Sequence, residues 1–243
     1  MPVALVTGAG RGIGAACATA LAARGWDVGL TYAADRDACE RTAGEVRALG
    51  ARAAVLQAEA RAPGAMDEAV AACERDLGPL DALVANAGTT RDGLAVRMDA
   101  DTWSLPLEVN LHGTAAALRA AAAGMCARGA GAIVALTSVV GTHGNAGQAN
   151  YAASKAALTG LVRTLARELG PHGVRVNAVA PGFIQTRLTD VLDPARQRAL
   201  LERTALGRFG AAADVGGPVC YLCSARSSFV TGTVLDVDGG LAL

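Results

Sequence analysis

The chain has 243 residues, 52% hydrophobic and 18% charged, and its 22 acidic and 22 basic side chains cancel to a formal net charge of zero. No basic excess exists to neutralise phosphates, which excludes nucleic acid as an expected partner. The alanine-rich apolar runs are interrupted by arginines such as Arg119 and Arg128, so no membrane span is expected.

Length and composition suit one α/β domain, residues 1–243, with a sizeable core. Met1-Pro2-Val3-Ala4 has no basic n-region, so no secretory signal is read. Six cysteines, at positions 17, 39, 73, 126, 220 and 223, mostly sit beside alanine in helical patterns. They imply reduced thiols and a cytoplasmic setting. Cys220-Tyr221-Leu222-Cys223 has redox or metal spacing, but it lacks a second pair or a nearby histidine. It reads as two half-buried helix cysteines, and no metal site is expected.

Val3 to Thr7 is a short buried strand running into Gly8-Ala9-Gly10-Arg11-Gly12-Ile13-Gly14 and an alanine-rich helix to about Arg24. Strand, glycine turn and helix start form a dinucleotide-binding turn. Glycines let the backbone approach a pyrophosphate, and the helix start offers N–H groups and a favourable dipole. Trp26 to Tyr32 is a second strand, whose end at Thr31 belongs beside the adenosine ribose. Readers of NAD usually place an acid there, but no acid occurs before Asp35. Arg11, and Arg36 just beyond the strand, can hold a 2′-phosphate, so NADP(H) is the expected cofactor.

A helix follows from about Asp37 to Leu49, then a strand over 53–57, a helix over 65–77 and a strand over 80–85. The last runs into Asn86-Ala87-Gly88, small enough for backbone to pass close to a cofactor. A long helix is expected from Asp101 to Arg128, kinked or restarted at Pro106, with Asn110 one turn later. Further strands are read at 132–136, 174–180 and 234–237, and helices at 152–169 and 211–223. The segment 185–210, richer in charge and holding Pro194, reads as a candidate lid over substrate. Alternating strands and helices predict a Rossmann-type, doubly wound parallel sheet of about seven strands with helices on both faces.

Within that frame one stretch carries chemistry. Ser138 follows the apolar strand, and Tyr151 and Lys155 lie four apart on the next helix, so they share a face. A cation near a phenol favours phenolate and lowers its pKa, which makes a competent acid or base. A serine hydroxyl can stabilise an oxygen as it gains charge. Lys155 is the only lysine among the 22 cationic side chains, the rest being arginine. A compact ammonium differs from a guanidinium fork, so this position selects the smaller group. His143, Gln148, Phe183 and Leu188 read equally as pocket residues or as plain packing.

Together these residues resemble the short-chain dehydrogenases/reductases over nearly the whole chain. The match comprises Thr7-Gly8 with Gly12-Ile13-Gly14, Asn86-Ala87-Gly88, Asn110, Ser138, Tyr151 with Lys155, Pro181-Gly182 and Val237-Asp238-Gly239-Gly240. Thr90-Arg91-Asp92-Gly93-Leu94, Ser138 to Gly141, Asn145 to Tyr151 and Gly182-Phe183-Ile184-Gln185-Thr186 are most similar to the β-ketoacyl-(acyl carrier protein) reductases.

The resemblance implies that Tyr151 protonates a carbonyl oxygen as NADPH delivers hydride to its carbon. Lys155 then lowers the tyrosine pKa and holds the nicotinamide ribose, Ser138 bonds the substrate oxygen, and Asn110 anchors a water that resupplies the proton. It extends the cofactor site to Pro181, Gly182, Ile184 and Thr186. At the adenine, Glu59-Ala60 replaces the commoner Asp-Val pair. It also implies an acyl carrier protein or CoA thioester as substrate, and a homotetramer packed on the helices around 101–128 and 150–169. The positions matching the carrier-docking arginines hold Gly129 and His172, with Arg128, Arg163, Arg167 and Arg175 nearby. A polyketide-type carrier or a free small ketone therefore stays open as substrate.

Overall fold

The computed structural model describes residues 1–185 and 194–241. Its strands are β1 (Val3–Val6), β2 (Asp27–Tyr32), β3 (Ala53–Gln57), β4 (Leu80–Ala85), β5 (Gly131–Leu136), β6 (Val174–Pro181) and β7 (Val234–Val237). They pair in parallel in the order β3-β2-β1-β4-β5-β6-β7. This is the doubly wound sheet that the alternating pattern predicts. The helices are α1 (Gly12–Ala22), α2 (Arg36–Ala48), α3 (Ala65–Leu77), α4 (Ala100–Pro106), α5 (Thr114–Arg128), α6 (Val139–His143), α7 (Ala149–Leu169), α8 (Pro194–Arg203) and α9 (Ala212–Cys223).

Because side chains alternate along a strand, the sheet feeds two cores. Ala4 and Val6 of β1 pack with Leu21 of α1, Val46 of α2 and Val219 of α9. Val3 and Leu5 face the other way, onto Val70 of α3, Leu118 and Met125 of α5 and Val162 of α7. Gly29 in β2 makes room for that second layer, since a Cβ there would lie 2.5 Å from Cys73 Sγ and 2.9 Å from Leu5 Cδ1. The sheet order reverses between β1 and β4. In such a fold a crevice opens beyond the carboxyl ends of these strands, and ligands bind there.

The expected helix over 101–128 is not one α-helix. Pro106 closes α4, and the next seven residues, Leu107–Gly113, are π-helical before α5 resumes. Proline lacks the N–H that an α-helical turn needs, and a wider turn absorbs the defect. The expected helix at Ala152 begins a turn earlier, at Ala149. The short α6 was not foreseen.

The segment 185–210 leaves and rejoins the sheet edge at one place. Gln185 N donates to the Gly210 carbonyl at 2.7 Å, and Gly210 N donates to that of Phe183 at 3.0 Å. The middle of this candidate lid, 186–193, lies outside the described residues.

Candidate active site

The glycine turn is built by backbone geometry. Gly8 and Gly12 have φ of +64° and +58°, a region that favours glycine. A Cβ on Gly14 would overlap the Gly8 carbonyl and lie 2.5 Å from Asn86 Nδ2. Arg11 precedes α1 in extended conformation, and its side chain does not cap the helix. The first-turn N–H groups therefore point to a ligand rather than to a side chain.

Asn86 ties this turn to β4. Its Nδ2 donates to the carbonyls of Thr7 (2.9 Å) and Gly8 (3.1 Å). The Thr7 hydroxyl accepts from the N–H groups of Asn86 and Ala87, each at 2.9 Å. Gly8, Gly14, Asn86 and Ala87 thus pack on one another at the carboxyl ends of β1 and β4, the switch point, with Gly10, Arg11, Gly12 and Ile13 on the same turn.

Thr31 is 1% exposed, and its Oγ1 accepts from Gly8 N at 3.1 Å. That hydroxyl braces the glycine turn from the end of β2. Arg11 is exposed, while Arg36 sits 3.8 Å from Glu40 on the surface of α2. Asp35 caps α2 by accepting from Ala38 N at 3.0 Å, so its carboxylate is committed locally. At the adenine end, Glu59 pairs with Arg61 at 3.5 Å. Ala60 lies against Gly113, where a Cβ would come 2.6 Å from the alanine methyl.

On the other side of the crevice, Ser138 follows β5 and caps α6, accepting from Val140 N at 3.2 Å. Gly141 in α6 lets α7 approach, since a Cβ would lie 2.9 Å from the backbone at Lys155 and Ala156. That contact sets Ser138 opposite the third residue of α7. The Ser138 hydroxyl lies near enough to the Tyr151 phenol to lower its pKa. Lys155 Nζ lies 5.8 Å from the centre of the same ring and donates to the Leu136 carbonyl at 2.7 Å. Gly88 lies alongside, where a Cβ would sit 3.5 Å from that Nζ, an ordinary contact.

The electrostatics correct one expectation. Burial pushes the Lys155 ammonium down to about 8. The Tyr151 phenol is pushed up, not down: burial is the largest cause, the Ser138 hydroxyl opposes it, and the Asp92 carboxylate adds to it. Lys155 donates to the Leu136 carbonyl, and in the resting enzyme burial outweighs the influences that lower the phenol.

Asn110 is fully buried in the π-helical turn, and Thr89 N donates to its Oδ1 at 2.7 Å. Its Nδ2 donates to the Thr89 carbonyl (3.0 Å) and to Ser154 Oγ (2.9 Å). Both side-chain donors are thus taken, and the amide locks the strand-end loop to α7.

Pro181 ends β6, and Gly182 packs so closely that a Cβ would meet Asp238 at 2.7 Å. Ile184 is 5% exposed and joins the core. Thr186 and Leu188 lie outside the described residues. Phe183 packs on Phe209, with ring centres 6.4 Å apart. His143 is exposed.

Two site residues escaped the sequence reading as individuals. Asn150, fully buried, accepts from Tyr151 N at 2.7 Å and donates to the carbonyls of Arg91 (2.9 Å) and Thr102 (2.7 Å). Asp92 accepts from Gln148 Nε2 at 3.0 Å. Their only sequence signal was membership of motifs quoted for the resemblance.

The candidate docking positions Gly129 and His172 lie just before β5 and β6, at the sheet edge opposite Ser138. Arg128 is engaged with Glu74 at 3.3 Å, and Arg175 with Ser227 Oγ at 2.8 Å. Arg163 and Arg167 are exposed on α7. All six cysteines are free thiols. Burial drives Cys17 up to about 12 and Cys220 to about 11, which makes both inert packing groups. Among the described residues no helix is long and apolar enough to cross a membrane.

A glycine-lined dinucleotide crevice facing a Ser-Tyr-Lys set defines an oxidoreductase of the nicotinamide-dependent class. Comparison with known proteins narrows it. A family model described as "Enoyl-(Acyl carrier protein) reductase" matches residues 8–242, and the chain belongs to the short-chain dehydrogenase/reductase family. It is 40% identical over 238 residues to a 3-oxoacyl-(acyl-carrier-protein) reductase FabG of Staphylococcus epidermidis, covering 98% of both chains. Identity to a FabG of Salmonella typhimurium is 40% over 239 residues, covering 98% of this chain and 96% of that one. A crystal structure assigned to a short-chain alcohol dehydrogenase from Sinorhizobium meliloti 1021 superposes with a TM-score of 0.96 at 36% identity, covering 99% of this chain and 96% of the other.

Proposed function

We propose that the 243 residues act as one catalytic domain that reduces a 3-oxoacyl thioester, on acyl carrier protein or CoA, to the 3-hydroxyacyl thioester in fatty-acid synthesis. The observation that carries the chemistry is buried Lys155 seated 5.8 Å from the Tyr151 ring centre, with Ser138 close to the phenol, at the same end of the sheet as the glycine turn. The substrate class follows from the kinship with the FabG reductases.

The glycine cradle fits a dinucleotide, because side chains at Gly8, Gly12 and Gly14 would fill or strain it. Residues 8–14 would hold the pyrophosphate, Asn86 to Gly88 the span beyond it, and Tyr151 with Lys155 the nicotinamide ribose. When bound, the cofactor supplies the hydride. The chain handles the proton. A phenol kept neutral by burial is the acid form, ready to donate to the carbonyl oxygen as that oxygen gains charge. Ser138 orients the phenol. Lys155, largely protonated at neutral pH, is the nearest cation once phenolate develops. Its electrostatic work thus falls in the transition state rather than in the resting enzyme.

Mixing the protein with NADPH and acetoacetyl-CoA, or the acyl carrier protein thioester, should consume NADPH absorbance. Reduction of simple ketones with no thioester turnover would sink the reading. It would favour a reductase of another ketone or secondary alcohol, which kinship with the Sinorhizobium protein supports.

NADP(H) is the proposed cofactor form. Arg11 is exposed beside the turn, and the surface pair of Arg36 is too weak to withhold it from a phosphate. Replacing both arginines by alanine should raise the KM for NADPH about tenfold, corresponding to about 1.5 kcal/mol for one lost charged hydrogen bond. The KM for NADH should barely change; an equal rise in both would contradict the assignment.

We also propose a cytoplasmic homotetramer packed through the helices around 101–128 and 150–169. Trp103 is 41% exposed on α4, and Ala156, Ala157 and Gly160 are exposed on α7. Light scattering should give four times the 24.3 kDa chain mass; a monomer would overturn this.

A further inference from the structure

The backbone of Tyr151 is gripped on both sides by the side chains of Asn150 and Ser154, each 0% exposed. Tyr151 is the third residue of α7, so its N–H is among the first-turn donors that no helix carbonyl reaches. Gln148, at the helix boundary, makes no side-chain cap. Asn150 supplies one instead: its Oδ1 accepts from Tyr151 N at 2.7 Å. On the carbonyl side, Ser154 Oγ donates to Tyr151 O at 2.7 Å. Each grip is anchored elsewhere. Both hydrogens of the Asn150 amide are used, one on the Arg91 carbonyl at 2.9 Å and one on the Thr102 carbonyl at 2.7 Å. The second anchor follows from Pro106. A helix carbonyl accepts from the N–H four residues on, and for Thr102 that residue is the proline, which has none. Asn150 gives this carbonyl its hydrogen and so ties α4 to the start of α7. Ser154 Oγ in turn accepts from Asn110 Nδ2 at 2.9 Å, and Asn110 is bonded to both the N–H and the carbonyl of Thr89. The two lines of bonds thus meet at Thr89 and Arg91, just beyond Asn86-Ala87-Gly88.

We propose that Asn150 is a positioning residue for the reduction, with Ser154 as the second half of the same clamp: together they hold the Tyr151 phenol in register with the loop after β4. The inference rests on Tyr151 being the proton donor and on residues 86–88 flanking the cofactor. A donor on α7 and a hydride source seated against a loop from β4 belong to different elements, so something must fix one to the other. A misplacement of about 1 Å between reacting groups can cost about 10²-fold in rate. The clamp suits that task because it is dry and fully bonded. Turning the Asn150 amide away would orphan two buried carbonyls and a buried N–H, and removing the Ser154 hydroxyl would strip a partner from Asn110. Neither side chain needs to touch a reacting atom to act in this way.

Asn150→Ala removes one half of the clamp and Ser154→Ala the other, the latter with little change of volume. Each should lower kcat for acetoacetyl-CoA reduction about tenfold while the NADPH dissociation constant, read from cofactor fluorescence, stays within about twofold. Ser154→Thr keeps the hydroxyl and should recover most of the loss. A double-mutant cycle on kcat separates positioning from stability. With Tyr151→Phe there is no phenol proton to place, so adding Asn150→Ala or Ser154→Ala should slow the residual turnover by less than about twofold. Should Asn150→Ala melt below the assay temperature, Ser154→Ala carries the same cycle. Wild-type kcat in the folded single variants overturns the proposal, and so does an equal loss in the wild-type and Tyr151→Phe backgrounds. Full activity of Tyr151→Phe alone would instead remove the donor role of Tyr151, so the two failures are told apart by that single variant.

Discussion

Tyr151→Phe should leave a folded protein that still binds its dinucleotide but turns over substrate about 10² to 10⁴ times more slowly, the usual contribution of a positioned proton donor. The ring, its burial and its place on α7 are unchanged, and only the hydroxyl is lost. Ser138 keeps a partner in Val140 N at 3.2 Å, so no buried polar group is orphaned by the change. Melting temperature and NADPH affinity should therefore stay near wild type while kcat collapses. A variant within a few-fold of wild-type kcat would remove the phenol from the mechanism.

Lys155→Met should separate stability from activity in opposite directions. The ammonium is 5% exposed, with its pKa driven down to about 8 from an ordinary 10.5, so below pH 8 the fold carries a buried charge it would rather lose. That depression is worth about 3 kcal/mol at neutral pH. The hydrogen bond to Leu136 returns about 1 kcal/mol of it. Methionine has similar length and no charge, so the variant should be more stable by about 1 to 2 kcal/mol at pH 7 and slower by about 10² to 10³.

The pH dependence gives a second reading of the same effect. Between pH 8 and 10.5 the folded lysine has lost its proton and the unfolded one has kept it. The unfolded state binds more protons in that window, so this group makes wild-type stability rise with pH there. Because the buried cysteines, raised in the fold, pull stability the other way in this window, denaturant melts should show the lysine contribution as a difference: stability of wild type relative to Lys155→Met should rise from pH 8 to 10.5. If the variant is instead less stable at pH 7, the ammonium is better paired than its burial implies.

Strands and helices were readable because period-2 and period-3.6 hydrophobic patterns are local. Val3 to Val6, Ala53 to Gln57 and Leu80 to Ala85 needed no distant information. The glycine turn was readable for the same reason, since backbone angles at Gly8 and Gly12 are demands on single residues. Tyr151 and Lys155 share a face of α7 because four residues make about one helical turn. What escaped depends on partners far along the chain. The partners of the Asn110 amide, Thr89 and Ser154, lie 21 and 44 positions away. Thr31 braces Gly8, 23 positions earlier. The five-residue α6 is too short to show a period, and its seat is set by Gly141 against α7.

The sequence by itself determined the parallel sheet, the glycine turn and the shared helix face of Tyr151 and Lys155, because each follows from spacing within a few residues. Only the tertiary structure decided the charge state of that pair. Burial of Lys155 and Tyr151 sets the direction of both pKa shifts. Desolvation and Coulomb forces act through space between segments that the chain order keeps apart.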